Sequence, residues 1–476
     1  MTKEYQLYIN GEWTRTDEQL DVLNKYTQET YGRVAKAAEK DVEAAVSAAE
    51  QAYQSNKMTP YERYEVLKRV SELLVENQEE LAETITKEAG KPLKQARNEV
   101  ERAAQTFEIS AEEAKRIHGE GVPVDAAPGS ENRMAFTIRV PVGVVGAISP
   151  FNFPLNLVAH KVGPAIAAGN SVVLKPASKT PISSIKLASI FHEAGLPKGF
   201  LNVVVGSGST VGNQMMKDSR INLYTFTGSA EVGLKLKQNT GINKLILELG
   251  NNSPVIIDKE ADITKAAQNT AAKSFAFAGQ VCISVQRIYV HEEIKEAFQD
   301  EFLKAIKQLK IGDPNDPETD VGPMIGEDEA KRAEEWIEEA KREGATILEG
   351  GTRDGALVHP TVITEVNPGM KVVCEEVFAP VVTLIPFSDI KACIKEVNAS
   401  PYGLQGGIFT RNLDTAFYAA RNVEVGGFMI NDASQYRVDL MPYGGVKDSG
   451  WGKEGPKYSI EEMTEERLIV MNLEQE

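Results

Sequence analysis

The chain has 476 residues, 42% apolar, 25% charged and 7% aromatic, the balance of an ordinary globular protein. That length exceeds one core and implies roughly two to three domains, with enough burial to need no disulfide or metal staple. The 69 acidic residues outnumber the 52 basic ones, a formal net charge of −17, which disfavours nucleic acid and anionic membrane as partners.

Cys282, Cys374 and Cys393 are too few and too scattered for a disulfide framework. His118, His160, His192, His291 and His359 form no ligand-spaced pair, so no metal site is expected. The opening MTKEYQLYINGEW lacks the basic start and apolar stretch of a secretory signal, and no apolar run reaches the ~18 residues of a membrane span. A reducing cytoplasm with free thiols is the expected location.

In chain order, the first 30 residues read as short strands and turns around Asn10 and Gly11. Helical periodicity follows over Asp41 to Gln54, then through Leu67, Val70, Leu73 and Leu74. Gly90 and Pro92 punctuate it before a charged amphipathic stretch from about Gln95 to Ile117. From Pro141 short apolar runs alternate with helical stretches: Val142–Ile148, Ser171–Leu174, Leu201–Val205, Leu223–Phe226 and Leu245–Leu249. Continuous apolar strands separated by helices predict a parallel sheet covered on both faces, which binds ligands at the carboxyl ends of its strands. A second set of α/β units runs from about Asn252 to Met441, with a strand at Arg287–Val290 and helices around Glu292–Leu309 and Asp328–Glu343. Two pieces fit neither unit: the alternating Arg133–Val140, and a lone strand at Leu468–Met471 that follows a capping-box pattern from Ser459 to Glu462. A lone apolar strand exposes an edge, so both are expected to build an oligomer.

Four groups of residues could carry chemistry. Cys282 sits at a helix–strand junction, with Gly279 and Gln280 before it to let backbone approach a ligand. A lone cysteine is, however, more often a small buried hydrophobe than a nucleophile. Glu248 ends an apolar strand, where burial would raise its pKa toward that of a usable base, unless it points out past the strand end. Asn152, held between Phe151 and Phe153, could donate to an oxyanion or simply make a turn. Lys175 to Ser178, and Gly228 with Ser229 at a helix start, suit phosphate or ribose; Gly206 to Gly212 is a weak dinucleotide-loop match with one residue too many.

Taken in order, PFNFP (150–154), GPAIAAGN (163–170), LKPAS (174–178), FTGS (226–229), ILELG (246–250), GQVC (279–282), EEVFAP (375–380) and PYGGVKDSG (442–450) resemble the NAD(P)-dependent aldehyde dehydrogenase family. The resemblance runs from about Leu7 to Met471. It implies an α/β fold with a Rossmann-like cofactor domain (1–117 and 139–249), a catalytic parallel-sheet domain (250–441), and oligomerising or bridging segments (118–138 and 442–476) of a dimer or tetramer. It implies Cys282 as nucleophile, Asn152 and the Cys282 N–H as oxyanion donors, and Glu248 as the base that activates the deacylating water. It places NAD or NADP against Ile148, Ser149, Pro150, Phe151, Lys175, Ala177, Ser178, Gly208, Gly212, Phe226, Thr227, Gly228, Ser229, Val232, Leu249, Glu376 and Phe378.

Departures from the family pattern are Ser178, where many NAD-preferring members carry glutamate, Asn251 and Ala379 for glycine, and Tyr443 for phenylalanine. Ser178 removes repulsion against a 2′-phosphate, so NADP should be tolerated and NAD is not excluded. Phe153, Leu157, His160 and Arg437 correspond to the family's substrate tunnel. His160 and Arg437 point to a short polar or anionic aldehyde, and GQVCISVQRIYV is similar to lactaldehyde-type members. A structural ion pair at Arg437 is the competing reading. For the activity, the competitors are a CoA-acylating dehydrogenase, against which Glu248 speaks, and a catalytically silent binding protein.

Overall fold

The computed structural model describes residues 2–473; residue 1 and residues 474–476, the ends of the outer segments expected above, lie outside the described residues. The apolar runs form the parallel centre of an eight-stranded sheet. Lys244–Glu248, Ile221–Thr227, Val144–Ile148, Ser171–Lys175 and Leu201–Val203 lie side by side in that order. Successive residues of a strand point to opposite faces, and here nearly all are buried alike, because helices such as Glu39–Ser55, Asn156–Ala168 and Ile182–Glu193 pack on the sheet. The hairpin Leu7–Ile9/Glu12–Thr14 closes one edge antiparallel, and Gly450–Trp451 closes the other. Strand Val144–Ile148 has its successor Ser171–Lys175 on one side and Ile221–Thr227 on the other. At such a reversal of strand order the loops diverge and leave a crevice.

A second, seven-stranded sheet is parallel except for its first edge strand: Thr346–Glu349, Thr361–Thr364, Val381–Phe387, Val285–His291, Ser253–Ile257, Gln405–Phe409 and Gly427–Ile430. Each sheet has its own apolar cluster, and the Cys282 loop joins them: Phe277, Val281 and Ile283 pack into the first, Ala278 into the second. The nucleophile candidate therefore sits at the seam between two cores.

Three expectations change. The C-terminal strand is not lone: Thr464–Asn472 pairs antiparallel with Arg133–Pro141 along its whole length, and Gly121–Val122 adds a third strand. The Ser459–Glu462 pattern is not a capping box, because the helix begins earlier, at Pro456 after Gly455, and leaves Ser459 inside it with an unpartnered hydroxyl. Within the stretch expected to bridge subunits, Gly450–Trp451 instead pairs with Leu247 and Glu248, and helix Pro456–Glu462 packs on Asn156–Ala168. Among the described residues no helix is long and apolar enough to cross a membrane.

Candidate active site

Cys282 lies on the connection between helix Ile263–Phe275 and strand Val285–His291. That connection is strained: Phe277, Ala278 and Gly279 have φ of 48°, 53° and 68° in succession. For a non-glycine residue this conformation costs about 1–2 kcal/mol, and it persists only where the surroundings hold it. Gly279 is obligatory for a different reason from the one expected. A Cβ there would fall 2.1 Å from the Ala379 carbonyl oxygen, so the glycine serves a backbone–backbone approach rather than a ligand.

Cavities open on both sides of the cysteine. One, of about 490 Å³, is walled by Phe153, Asn156, Leu157, Phe277, Tyr443 and the cations Lys91, Lys94, Arg102 and Arg437. The other, of about 280 Å³, is walled by Pro150, Phe151, Asn152, Thr227, Gly228, Ser229, Leu249, Glu376 and Phe378. Cys282 belongs to both walls. Burial pushes its thiol up to about 11, against the lowering effects of the Tyr443 hydroxyl, 3.2 Å from Sγ, and of Arg437. At neutral pH the thiol must therefore be activated before it can attack.

Asn152 is aimed by its neighbours. Its Nδ2 donates one hydrogen to the Gln280 carbonyl at 2.9 Å, and Gln280 is itself fixed by accepting from the Ile325 N–H at 2.8 Å. The second amide hydrogen is left over for a ligand, and Asn152 shares a cavity wall with Cys282. The loop behind it is pinned by Glu99, which accepts from the Leu155 and Asn156 N–H groups at 3.0 and 3.2 Å and pairs with buried Lys91. The Lys91 ammonium also rests 3.6 Å from the Phe153 ring centroid.

Glu248, at the end of its strand, is 2% exposed and neither carboxyl oxygen has a partner. Burial, and then the charge of Glu454, push its pKa well above the carboxylate range, opposed by Arg437, Lys161 and Lys453. Its Oε1 would lie 3.0 Å from a Cβ on Gly444, so it points toward that glycine, and it lines neither cavity in this conformation.

On the cofactor side, Ile148 pairs with Lys175 and Phe226 at the strand ends, and the Phe226 ring fills the space where Gly228 has no side chain. The Ser149 hydroxyl is buried without a partner. Lys175 is buried with only the Pro176 carbonyl at 3.3 Å, and burial lowers its pKa to about 8. After Ala177, Ser178 Oγ donates to the Gly206 carbonyl at 2.7 Å. Gly208–Gly212 forms a single turn capped by Ser207, with Gly212 beside the Lys175 stem. Ser229 caps helix Ala230–Asn239 by accepting from the Val232 N–H, and Gly233 packs on Leu249. Glu376 accepts from the Asn251 N–H at 2.9 Å, and burial raises its pKa to about 7. Phe378, with φ 48°, meets Phe151 edge-on. The helix N-terminus at Ser229 and the Glu376 carboxyl share one cavity wall, and with the unpaired Lys175 cation and the orphaned Ser149 hydroxyl at the neighbouring strand ends they fit the phosphates and ribose hydroxyls of a dinucleotide.

The tunnel residues divide. Phe153, Leu157 and Arg437 line the larger cavity. His160 does not: it is fully buried and its Nε2–H donates to Asp439 at 2.7 Å, which also accepts from Arg102 at 2.8 Å. Burial first, then Arg437, lowers the His160 pKa, which favours the neutral ring, and His160 is absent from the wall of the larger cavity. Arg437 is 3.2 Å from Glu454 and stacks on the Tyr443 ring, yet its buried Nε has no partner.

The model of the aldehyde dehydrogenase family matches residues 13–469. The chain belongs to the aldehyde dehydrogenase family. It is 57% identical over 471 residues to the 3-sulfolactaldehyde dehydrogenase of Priestia aryabhattai, covering 99% of this chain and 98% of that one. It is 39% identical over 471 residues to the lactaldehyde dehydrogenase of Methanococcus aeolicus, covering 98% and 100%. The glyceraldehyde-3-phosphate dehydrogenase of Methanocaldococcus jannaschii complexed with NADP superposes with a TM-score of 0.92 at 40% identity, covering 96% of this chain and all of that one. This aldehyde dehydrogenase is thus an oxidoreductase that oxidises aldehydes with NAD(P)+.

The structure adds groups to the dehydrogenase site that the sequence reading missed. Lys161 donates to Thr227 at 2.6 Å and to Glu454 at 2.9 Å, and both charges are buried. Although burial works against it, Lys161 and then Arg437 hold the Glu454 carboxylate at about 2. Lys161 carried a signal: it is the sole formal charge in a helix whose thirteen residues are all buried. Glu454 and Asp439 carried none, since Lys161 and His160, the helix partners that draw them in, lie 293 and 279 residues away.

Proposed function

We propose that this aldehyde dehydrogenase converts a short anionic aldehyde to its carboxylic acid, with Cys282 as nucleophile, Asn152 as oxyanion donor and Glu248 as the base for deacylation. The observation that carries the reading is that Cys282 lies on the walls of both cavities, one lined by four cations and no carboxylate, the other by the dinucleotide-type residues. The carboxylates that balance those cations, Glu99, Asp320, Asp439 and Glu454, stand behind the wall. An anionic tail entering the larger cavity would meet positive charge first. The names of the sulfonated and phosphorylated relatives' substrates support the same class, with a lactaldehyde-type neutral substrate as the alternative tail.

In this mechanism the Cys282 thiolate adds to the carbonyl carbon, and the free Asn152 amide hydrogen with the Cys282 N–H takes the oxyanion. Lys175, Ser149, the N-terminus at Ser229 and Glu376 would hold NAD or NADP, which when bound supplies the hydride acceptor. Ser178, turned to Gly206, presents no carboxylate against a 2′-phosphate, which supports use of either cofactor. Glu248 swings from Gly444 toward the thioester and takes a proton from the attacking water, which favours hydrolysis over transfer to CoA.

The division into a cofactor unit (1–117 with 139–249) and a catalytic unit (250–441) is part of the same reading. So is a dimer or tetramer built on the strand pair Arg133–Pro141/Thr464–Asn472, whose exposed Met134, Leu468 and Val470 support it. The free cysteines support a cytoplasmic site of action. Cys282→Ala should abolish oxidation of every aldehyde while the protein still binds NAD(P)+, as read by fluorescence titration. Undiminished turnover in that variant would end the proposal.

A further inference from the structure

We infer that the Tyr443 hydroxyl is the group that stabilises the thiolate form of Cys282 when the thiol ionises, an inference that rests on Cys282 being the nucleophile. The Tyr443 oxygen stands 3.2 Å from Sγ, and among the described residues it supplies the side-chain hydrogen bond at that sulfur. The tyrosine is 3% exposed and fixed from behind, its N–H donating to the Glu454 carbonyl at 3.0 Å and its carbonyl accepting from the Glu454 N–H at 2.7 Å. The Arg437 guanidinium lies 3.7 Å from the centroid of its ring. A cation on the ring face draws electron density from the phenol and makes its O–H a stronger donor.

The remaining charged groups around the sulfur do not do this work. Those that face it are Arg437, from the loop before Tyr443, Glu248 at the end of its sheet strand, and Glu376 from the segment after helix Lys371–Cys374. Both carboxyls oppose a thiolate, and Arg437 is already paired with Glu454 at 3.2 Å. Tyr443 keeps its own proton, because burial raises its pKa well above the ordinary phenol value. It therefore donates whenever the sulfur is ionised. Deprotonation sends the thiol proton to water in the substrate cavity, and the Tyr443 O–H donates to the sulfur lone pair. When the S–C bond forms, the carbonyl π pair moves to oxygen, the charge passes to the oxyanion donors, and the tyrosine bond to sulfur is released.

The test is Tyr443→Phe in the full-length enzyme, which keeps the ring beneath Arg437 and deletes one oxygen. Inactivation by iodoacetamide is followed against pH, with the alkylated site mapped by mass spectrometry. Loss of a hydrogen bond to an ionised acceptor should raise the midpoint of the profile by about one unit, roughly a tenfold slower alkylation near neutral pH. A midpoint that stays in place or falls, with inactivation still mapped to Cys282, overturns the role of Tyr443 alone. Alkylation of Cys282 that leaves aldehyde oxidation intact overturns the nucleophile assignment, and this inference with it.

Discussion

Replacing Arg437 by glutamine separates the two roles that its position combines. Its side chain is 7% exposed, pairs with Glu454 at 3.2 Å and covers the Tyr443 ring, while Nε is buried without an acceptor on the wall of the larger cavity. An anionic substrate tail would give Nε that acceptor, a charge-assisted bond that contributes about 1.5–3 kcal/mol. Because Glu454 already neutralises part of the cation, the lower end applies: about 1.5–2 kcal/mol, or roughly 10–30-fold in kcat/KM for anionic aldehydes. The substitution also leaves Glu454 with Lys161 as its one close cation and removes a positive charge near Glu248. That loss falls equally on neutral and anionic substrates, so the ratio between them is the informative quantity. The assay measures reduced-cofactor formation with two aldehydes of equal length, one ending in sulfonate or carboxylate, the other in a hydroxyl. If Arg437→Gln lowers both kcat/KM values by the same factor, Arg437 is a structural partner of Glu454 and the anion-site argument is wrong.

Glu248→Gln should give a burst of reduced cofactor, one equivalent per site, and then stall, because the thioester lacks its base; rapid-mixing absorbance reads it, and sustained turnover would require another base. In the unsubstituted enzyme the base must be ionised to work. With its pKa raised by burial, the deacylation rate should climb with pH above the usual carboxylate range, and the climb should vanish in the glutamine variant. Gly279→Ala should lower Tm and destroy activity together, since the added carbon would sit 2.1 Å from Ala379 O at a φ of 68°; differential scanning calorimetry and turnover test it, and an unchanged Tm would show that the loop is looser than described.

The five central strands were legible in the sequence because a parallel strand buried on both faces must be apolar at every position, whatever lies beside it. Cys282, Asn152 and the glycine-rich turns were legible as motifs, since each chemistry sits within a few consecutive residues. What stayed hidden depends on distant pairs. His160 read as a tunnel residue, yet the fold supplies Asp439 across 279 residues and turns the imidazole inward. The Ser459–Glu462 pattern matched a helix start, but Gly455 and Pro456 begin that helix a turn earlier. The Tyr443–Cys282 contact spans 161 residues and joins two motifs that carry no mark of one another.

The Lys91–Glu99 pair has a consequence for how this enzyme can vary over generations. Glu99 holds the turn that carries Asn152, and Lys91 leans on Phe153 and Phe277, so the loops that carry Asn152 and Cys282 both depend on one ion pair. Both charges are almost fully buried. Mutating one partner would leave the other buried without its counter-charge at about 3–5 kcal/mol, whereas exchanging both for apolar residues of matching volume costs far less. Single-step drift at either position is thereby blocked, and lineages that lose the lysine must lose the glutamate with it and find another way to tether the Asn152 loop.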